Sequence, residues 1–201
     1  MNWEQVRRWR KEQREVLITR RVAITRNDRA AWSERITASI LHRLEGKLPG
    51  RLGFYWPFRG EYDPRGIVRL LDAQGVRLAL PVVVQKAAPL VFRAWRPGER
   101  LVPGVWSIPV PAEGEVVQPD VLLVPLVGYD HRAFRLGYGG GFYDRTLAAM
   151  PQRPTTLGVG FSLAALPSVH PQPHDIPMDV IITEQQSTVR ASDSLDPSPD
   201  P

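Results

Sequence analysis

The chain is 201 residues long and 43% hydrophobic, with 26 Lys and Arg against 21 Asp and Glu for a formal charge of +5. That length supports one sizeable core, and the lack of any cysteine excludes a disulfide framework, a thiolate metal site and a cysteine nucleophile. No run approaches the roughly 18 uninterrupted apolar residues of a membrane span, and Met1-Asn2-Trp3-Glu4-Gln5 lacks the apolar stretch of a secretory signal, so a cytoplasmic protein is expected.

In chain order, apolar periodicity predicts helices over residues 3–24 and 28–46, the second capped by Thr25 or Asn27 with Trp32, Ile36, Ile40, Leu41 and Leu44 on one face. The first holds Arg7, Arg8, Arg10, Arg14, Arg20 and Arg21, interleaved with Glu4, Glu12 and Glu15 and with apolar Val6, Trp9, Val16 and Leu17. This reads as a solvated amphipathic helix rather than a nucleic-acid arm, and Trp3 and Trp9 sit at core-like spacing rather than as a base-stacking series. A strand over 52–58 follows, then a helix over 64–74 with Asp63 as cap and Gly75 past its end, and a strand over 76–84. A further strand spans 89–95, and residues 97–114 form a loop rich in proline and glycine. Short apolar runs at 121–127, 155–161 and 179–183 supply three more strands.

Strand and helix in alternation predict an α/β fold: an open, mostly parallel sheet with helices on both faces and two N-terminal helices, three-layered and Rossmann-like, with ligands beyond the carboxyl ends of the strands. One domain is expected over 1–184, and residues 185–201, with almost nothing to bury, read as a disordered tail.

After the 121–127 strand, Gly137, Gly139, Gly140 and Gly141 stand between Arg135 and Arg145, and the helix-like run 142–150 follows. Glycines let successive backbone N–H groups turn toward an anion, and a helix N-terminus adds partial positive charge. The loop has no Gly-Lys-Ser/Thr ending, and Phe142 stands where a dinucleotide fingerprint has its third glycine, so both common nucleotide motifs are excluded. A tight turn remains the bland alternative.

With its flanks the loop becomes specific. Residues 120–130 (DVLLVPLVGYD) and 135–145 (RLGYGGGFYDR), together with Gly60-Glu61-Tyr62-Asp63, Leu80-Pro81-Val82-Val83, Trp106-Ser107-Ile108-Pro109-Val110-Pro111 and Pro173-His174-Asp175-Ile176-Pro177-Met178-Asp179, resemble the 5-formyltetrahydrofolate cyclo-ligase (5,10-methenyltetrahydrofolate synthetase) family in content and order. The resemblance covers residues 5–184. It implies an enzyme that uses ATP and Mg²⁺ to cyclise 5-formyltetrahydrofolate to 5,10-methenyltetrahydrofolate, releasing ADP and phosphate, through phosphorylation of the formyl oxygen and ring closure by N10.

By that resemblance, Gly137, Tyr138, Gly139, Gly140, Gly141, Phe142 and Tyr143 wrap the ATP phosphates, and Arg135, Arg145 and Tyr143 serve the chemistry. Arg10 and Arg14, four residues apart on one helical face, fall in register with a family lysine and arginine that reach ATP, with Lys11 beside them as an alternative to Arg10. Asp144 and Asp175 match the magnesium-associated carboxylates; their bland readings are a first-turn helix charge and a turn residue. Phe58, Glu61, Asp63, Trp106, Tyr138 and Tyr143 fall where the family binds folate. Asp63 as a helix cap and Trp106 and Tyr143 as core aromatics are the competing readings. The implied partners are the reduced folate and ATP, without membrane or nucleic acid, for a monomer.

Overall fold

The computed structural model describes residues 1–190. Helix α1 (Trp3–Val22) starts in a capping box, with Asn2 accepting from Gln5 N–H and the Gln5 side chain accepting from Asn2 N–H. Helix α2 (Arg26–Leu44) is capped by Thr25. Then come β1 (Arg51–Gly53), α3 (Arg65–Ala73), β2 (Arg77–Val82), β3 (Val91–Ala94), β4 (Leu101–Pro103) and β5 (Pro109–Pro111). The rest of the chain forms β6 (Val121–Pro125), β7 (Gly128–Tyr129), β8 (Arg135–Leu136), α4 (Phe142–Ala149), β9 (Thr155–Val159), β10 (Val180–Ile182) and β11 (Ser187–Val189). Among the described residues no helix is long and apolar enough to cross a membrane.

Seven strands form one sheet in the order β11-β10-β9-β6-β1-β2-β3. Its interior pairs are parallel, and only the edge strands β3 and β11 run antiparallel. Period-two alternation sorts side chains to the two faces: Leu78, Leu80 and Leu123 pack with Ile36 and Ile40 of α2 and Ile67 and Leu71 of α3, whereas Ala79, Leu122 and Val124 pack with Leu147 of α4. This is the three-layer α/β arrangement expected from sequence.

The order also fixes where a ligand can bind. From β1 the chain crosses to β2 on one side and returns to β6 on the other, so a crevice opens beyond the carboxyl ends of β1 and β6. Helix α1 lies over that end: Leu17 clusters with Val127, Leu136 and Val169, which belong to the segments following β6 and β9.

Several sequence readings are corrected. The strand expected over 52–58 stops at Gly53, and after Phe54 N–H donates to Ala79 C=O the chain leaves the ladder to enter the crevice. The loop at 97–114 contains the β4–β5 hairpin, with Trp106 and Ser107 in its connection at φ 56° and 59°. Such left-handed conformations are costly for a bulky residue and persist where the surroundings over-determine them. The tail does not begin at 185, because Ser187–Val189 pairs with β10 and Arg190 N–H donates to Asp179 C=O. The remainder of that predicted tail, 191–201, lies outside the described residues.

Gly53, between β2 and β6, has no space for a side chain: a Cβ would stand 2.4 Å from Leu122 Cδ2 and 2.8 Å from Pro119 Cγ. Gly53→Ala is therefore expected to cost about 1–3 kcal/mol of stability through overpacking, read as a lower urea midpoint at unchanged m-value. An unchanged midpoint would mean that the sheet shifts freely at β1.

Candidate active site

The segments leaving β1, β6 and β9, the β4–β5 hairpin and α1 together enclose a cavity of about 810 Å³. Its α1 wall follows from spacing. Positions 3, 7, 10, 14, 17 and 21 recur at intervals of three and four and lie along one helical face. Trp3, Arg7, Arg10 and Arg14 line the cavity, and Leu17 and Arg21 are buried beyond them. The expectation of a solvated arginine face is thus corrected for Arg10 and Arg21: Arg7, Arg8 and Arg20 are exposed, while Arg10 and Arg21 turn inward.

Each inward guanidinium is met by loop acceptors. Arg10 donates from Nε to Val169 C=O at 3.0 Å and from Nη2 to His170 C=O at 3.0 Å, and pairs with Asp175. Arg14 Nε donates to Gly137 C=O at 2.7 Å. Burial, reinforced by the charge of Arg10 and opposed by Asp175, lowers the Arg14 pKa below its ordinary value. Arg21 donates to Arg59 C=O, Leu126 C=O and Tyr138 OH at 3.0, 3.1 and 2.5 Å.

The glycine loop sits between two guanidiniums. A Cβ at Gly139 would lie 3.3 Å from Arg14 Cζ, and one at Gly141 would lie 2.8 Å from Arg145 Nη1. Gly141 takes φ 63° as the N-cap of α4 and offers no side-chain cap, so the first-turn N–H groups of α4 stay available at the cavity wall. Arg145 donates to Gly140 C=O, while its buried Nε has no partner. Glycines, open helix N–H groups, two cations and an unmet donor together make an anion cradle.

At the other end, Phe58, Trp106 and Tyr138 form an aromatic corner, with ring centroids 5.8–6.4 Å apart and Phe58 and Trp106 nearly parallel at 11°. Trp106 remains 57% exposed, so its neighbours leave much of the ring open. Beneath the corner Glu61 is buried, accepting from Tyr138 OH and Phe58 N–H at 2.9 Å each, with Arg21 Nη1 at 3.8 Å. Burial pushes the Glu61 carboxyl above its ordinary value of 4.5, and Arg21, Phe58 N–H and Tyr138 oppose that rise. Burial and the Glu61 charge raise the phenols of Tyr138 and Tyr143, so both are neutral donors at physiological pH.

Most residues singled out from sequence meet in this cavity: Arg10, Arg14, Phe58, Glu61, Trp106, Arg135, Tyr138, Tyr143, Asp144, Arg145, Asp175 and the loop glycines with Phe142 all line it. Two do not. Lys11 is exposed on the outer side of α1, which leaves Arg10 as the residue at the cavity. Asp63 accepts from Arg65 N–H at 3.0 Å and pairs with the Arg65 guanidinium, but the N-cap of α3 is Pro64, so the expected Asp63 cap is corrected to a turn residue one position before the helix cap. Sequence reasoning missed Trp3, Arg7 and Arg21, although the three-four spacing along α1 was the signal that places them. It also missed Tyr55, Trp56 and His174, which line the cavity from irregular segments with no periodic signal.

Asp144 commits one oxygen to the protein, and Asp175 commits one while its other oxygen lies 3.9 Å from His174 Nε2. Asp144 Oδ1 accepts from Arg135 Nη2 at 3.0 Å and Ile176 N–H at 3.1 Å, and Asp175 Oδ2 takes Arg10 and Gln172 N–H. The described residues contain no cluster of three His, Cys, Asp or Glu for an all-protein metal cage. Two anchored carboxylates that line the cavity fit instead an ion that binds one or two carboxylates and completes its shell with water and phosphate oxygens, as Mg²⁺ does.

A family model described as the 5-formyltetrahydrofolate cyclo-ligase family matches residues 6–184. A protein of Mycolicibacterium smegmatis named 5-formyltetrahydrofolate cyclo-ligase is 30% identical over 187 residues, covering 84% of this chain and 94% of its own length. The Escherichia coli protein of the same name is 29% identical over 171 residues, covering 82% and 94%. The NMR structure of Aquifex aeolicus 5,10-methenyltetrahydrofolate synthetase superposes with a TM-score of 0.78 at 27% identity, covering 93% of this chain and 96% of that one. A 5,10-methenyltetrahydrofolate synthetase from Mycoplasma pneumoniae shares the fold with a TM-score of 0.72 at 20% identity, covering 87% and 98%.

The raised carboxyl of Glu61 gives a pH signature. Between its unfolded and folded values the native state holds the extra proton, so this group's stabilising contribution is present below about pH 4.5 and is lost as pH rises through the folded value. Glu61→Gln removes that loss. Urea unfolding at pH 4 and pH 7 is expected to show wild-type stability falling relative to the variant as pH rises; a difference independent of pH would mean that Glu61 is charged at ordinary values in the fold.

Proposed function

The chain belongs to the 5-formyltetrahydrofolate cyclo-ligase family and is a ligase, and from that premise we propose that it converts 5-formyltetrahydrofolate to 5,10-methenyltetrahydrofolate at the expense of ATP. One observation supports this reading above the others: a single cavity joins an anion cradle at Gly137–Gly141 to an aromatic corner over a buried carboxylate. Two reactants of unlike chemistry, a polyphosphate and a flat heterocycle rich in N–H donors, would meet in one chamber.

In the proposed reaction the formyl oxygen on N5 attacks the γ-phosphorus of ATP. The new O–P bond forms as the bond from γ-phosphorus to the β,γ-bridging oxygen breaks and ADP leaves. N10 then attacks the activated formyl carbon, its proton is released, the C–O bond breaks with loss of phosphate, and the five-membered ring closes as the methenyl cation. No strong base is required at the first step. Positioning and stabilisation of phosphoryl charge carry the acceleration.

The residues divide accordingly. Arg14, Arg145 and the N–H groups of Gly137, Gly139, Gly140 and Gly141 bind phosphate oxygens. Arg135, held by Asp144 and by Ile176 C=O at 2.9 Å, lies over the Tyr143 ring at 5.8 Å and fixes the start of α4. Tyr143, kept neutral, donates a hydrogen bond near the transferred group. Phe58, Trp106 and Tyr138 sandwich the pterin or its benzoyl extension, and Glu61 accepts from pterin N–H groups. Asp144 and Asp175 would hold Mg²⁺, which when bound neutralises charge on the phosphate oxygens.

The test is the growth of methenyl absorbance when the purified protein is mixed with 5-formyltetrahydrofolate, Mg²⁺ and ATP, run beside a sample without ATP. Absorbance is expected to grow only with ATP, and Arg14→Ala is expected to lower the rate by about 10²-fold through loss of one cradle cation. ADP release that does not depend on the folate would overturn the proposal.

A further inference from the structure

We infer that Trp3, Arg7 and His174 form the platform on which the nucleotide's base stacks, an assignment that rests on the ATP reading above. Trp3 is the outermost member of the α1 stripe that faces the cavity. Its side chain is 51% exposed although it belongs to the cavity wall, and its ring stands at 83° to that of His174 with centroids 6.5 Å apart. The two rings make an open corner at the cavity mouth. Arg7, one turn inward, adds a cation between this corner and the cradle.

The order of groups along α1 sets the direction of the ligand. At 1.5 Å per residue, Trp3 lies about 16 Å from Arg14 along the helix axis, a span suited to the distance between the base and the terminal phosphates of an extended nucleoside triphosphate. Past Arg14 the stripe closes: Leu17 packs against Val127, Leu136 and Val169, and Arg21 reaches Tyr138 below the aromatic corner. A triphosphate seated between Arg14 and Arg145 therefore runs toward the N-terminal end of α1, away from the corner assigned to the folate. Among the described lining residues there is no Ser, Thr, Asn or Gln, so no aliphatic hydroxyl or side-chain amide meets the edge of a base. The platform holds the base by its face, as stacking on an aromatic ring does.

The alternative occupant of this corner is the anionic glutamyl end of the folate, which Arg7 would pair, and kinetics separate the two. Wild type, Trp3→Ala and Trp3→Phe are compared for methenyl formation with ATP and folate varied in turn, with ADP affinity measured by calorimetry and folding checked by thermal melting. Trp3→Ala is expected to raise the ATP KM and weaken ADP binding by roughly 5- to 100-fold while kcat and the folate KM hold, and Trp3→Phe is expected to recover most of the loss. With wild type dependent on ATP, an unchanged ATP KM and ADP affinity in Trp3→Ala, or a rise in the folate KM instead, would overturn the platform and leave the cyclo-ligase reading standing. A wild type that forms product without nucleotide would overturn that reading and the platform with it.

Discussion

The site depends on guanidinium groups driven inward from one helix. A buried guanidinium without acceptors is prohibitively costly, and those of Arg10 and Arg21 find theirs in main-chain carbonyls of separate segments: Val169 and His170 after β9, Arg59 after β1 and Leu126 after β6. Arg14 adds Gly137. Loops at the open end of a parallel sheet have no ladder to hold them. Here α1 acts as their common strut, and its arginine forks fix the relative positions of the aromatic corner, the glycine loop and the 169–175 segment. A lysine could supply the charge of Arg10 but not its planar fork, which serves two carbonyls and the Asp175 carboxylate together.

The charge distribution within the cavity follows from which of these cations have carboxylate partners. Arg10 pairs with Asp175, Arg135 with Asp144, and Arg21 approaches Glu61. Among the described residues no carboxylate pairs with Arg14 or Arg145, the two that flank the glycines. The surplus positive charge therefore gathers at the loop, beside the open N-terminus of α4, where a polyanion gains most. The aromatic corner stands over the opposite sign. Glu61 sits deep enough that burial outweighs its partners, and Tyr138 links it to Arg21 by hydrogen bonds. The carboxyl end of one sheet thus carries two microenvironments suited to unlike reactants.

Much of this was legible in the chain. Glycine between arginines after an apolar strand offered an anion loop beside the reading as a plain turn, because residues without Cβ let backbone N–H groups approach an anion closely. The runs at 121–127 and 155–161 read as buried parallel strands and form β6 and β9. The stripe on α1 was present in the sequence as well, yet arginines on a long amphipathic helix ordinarily face water. Nothing local distinguishes Arg10, which turns in, from Lys11, which turns out, apart from a rotation of about 100° around the helix. Short elements such as the β7–β8 pair and the β4–β5 hairpin are too brief to leave a period in the sequence.

By itself the sequence determined the alternation of strands and helices, the apolar faces that make three layers, and the residue types able to bind phosphate and a flat heterocycle, since these follow from side-chain size, charge and period. Only the tertiary structure decided the strand order that opens a crevice between β1 and β6, and the seating of α1 across it. The same step brings Glu61 under Tyr138 from 77 residues away and Arg10 onto Asp175 from 165 away. Such long-range choices depend on which buried charges find acceptors when the layers close, and that balance belongs to the packed molecule rather than to any segment of the chain.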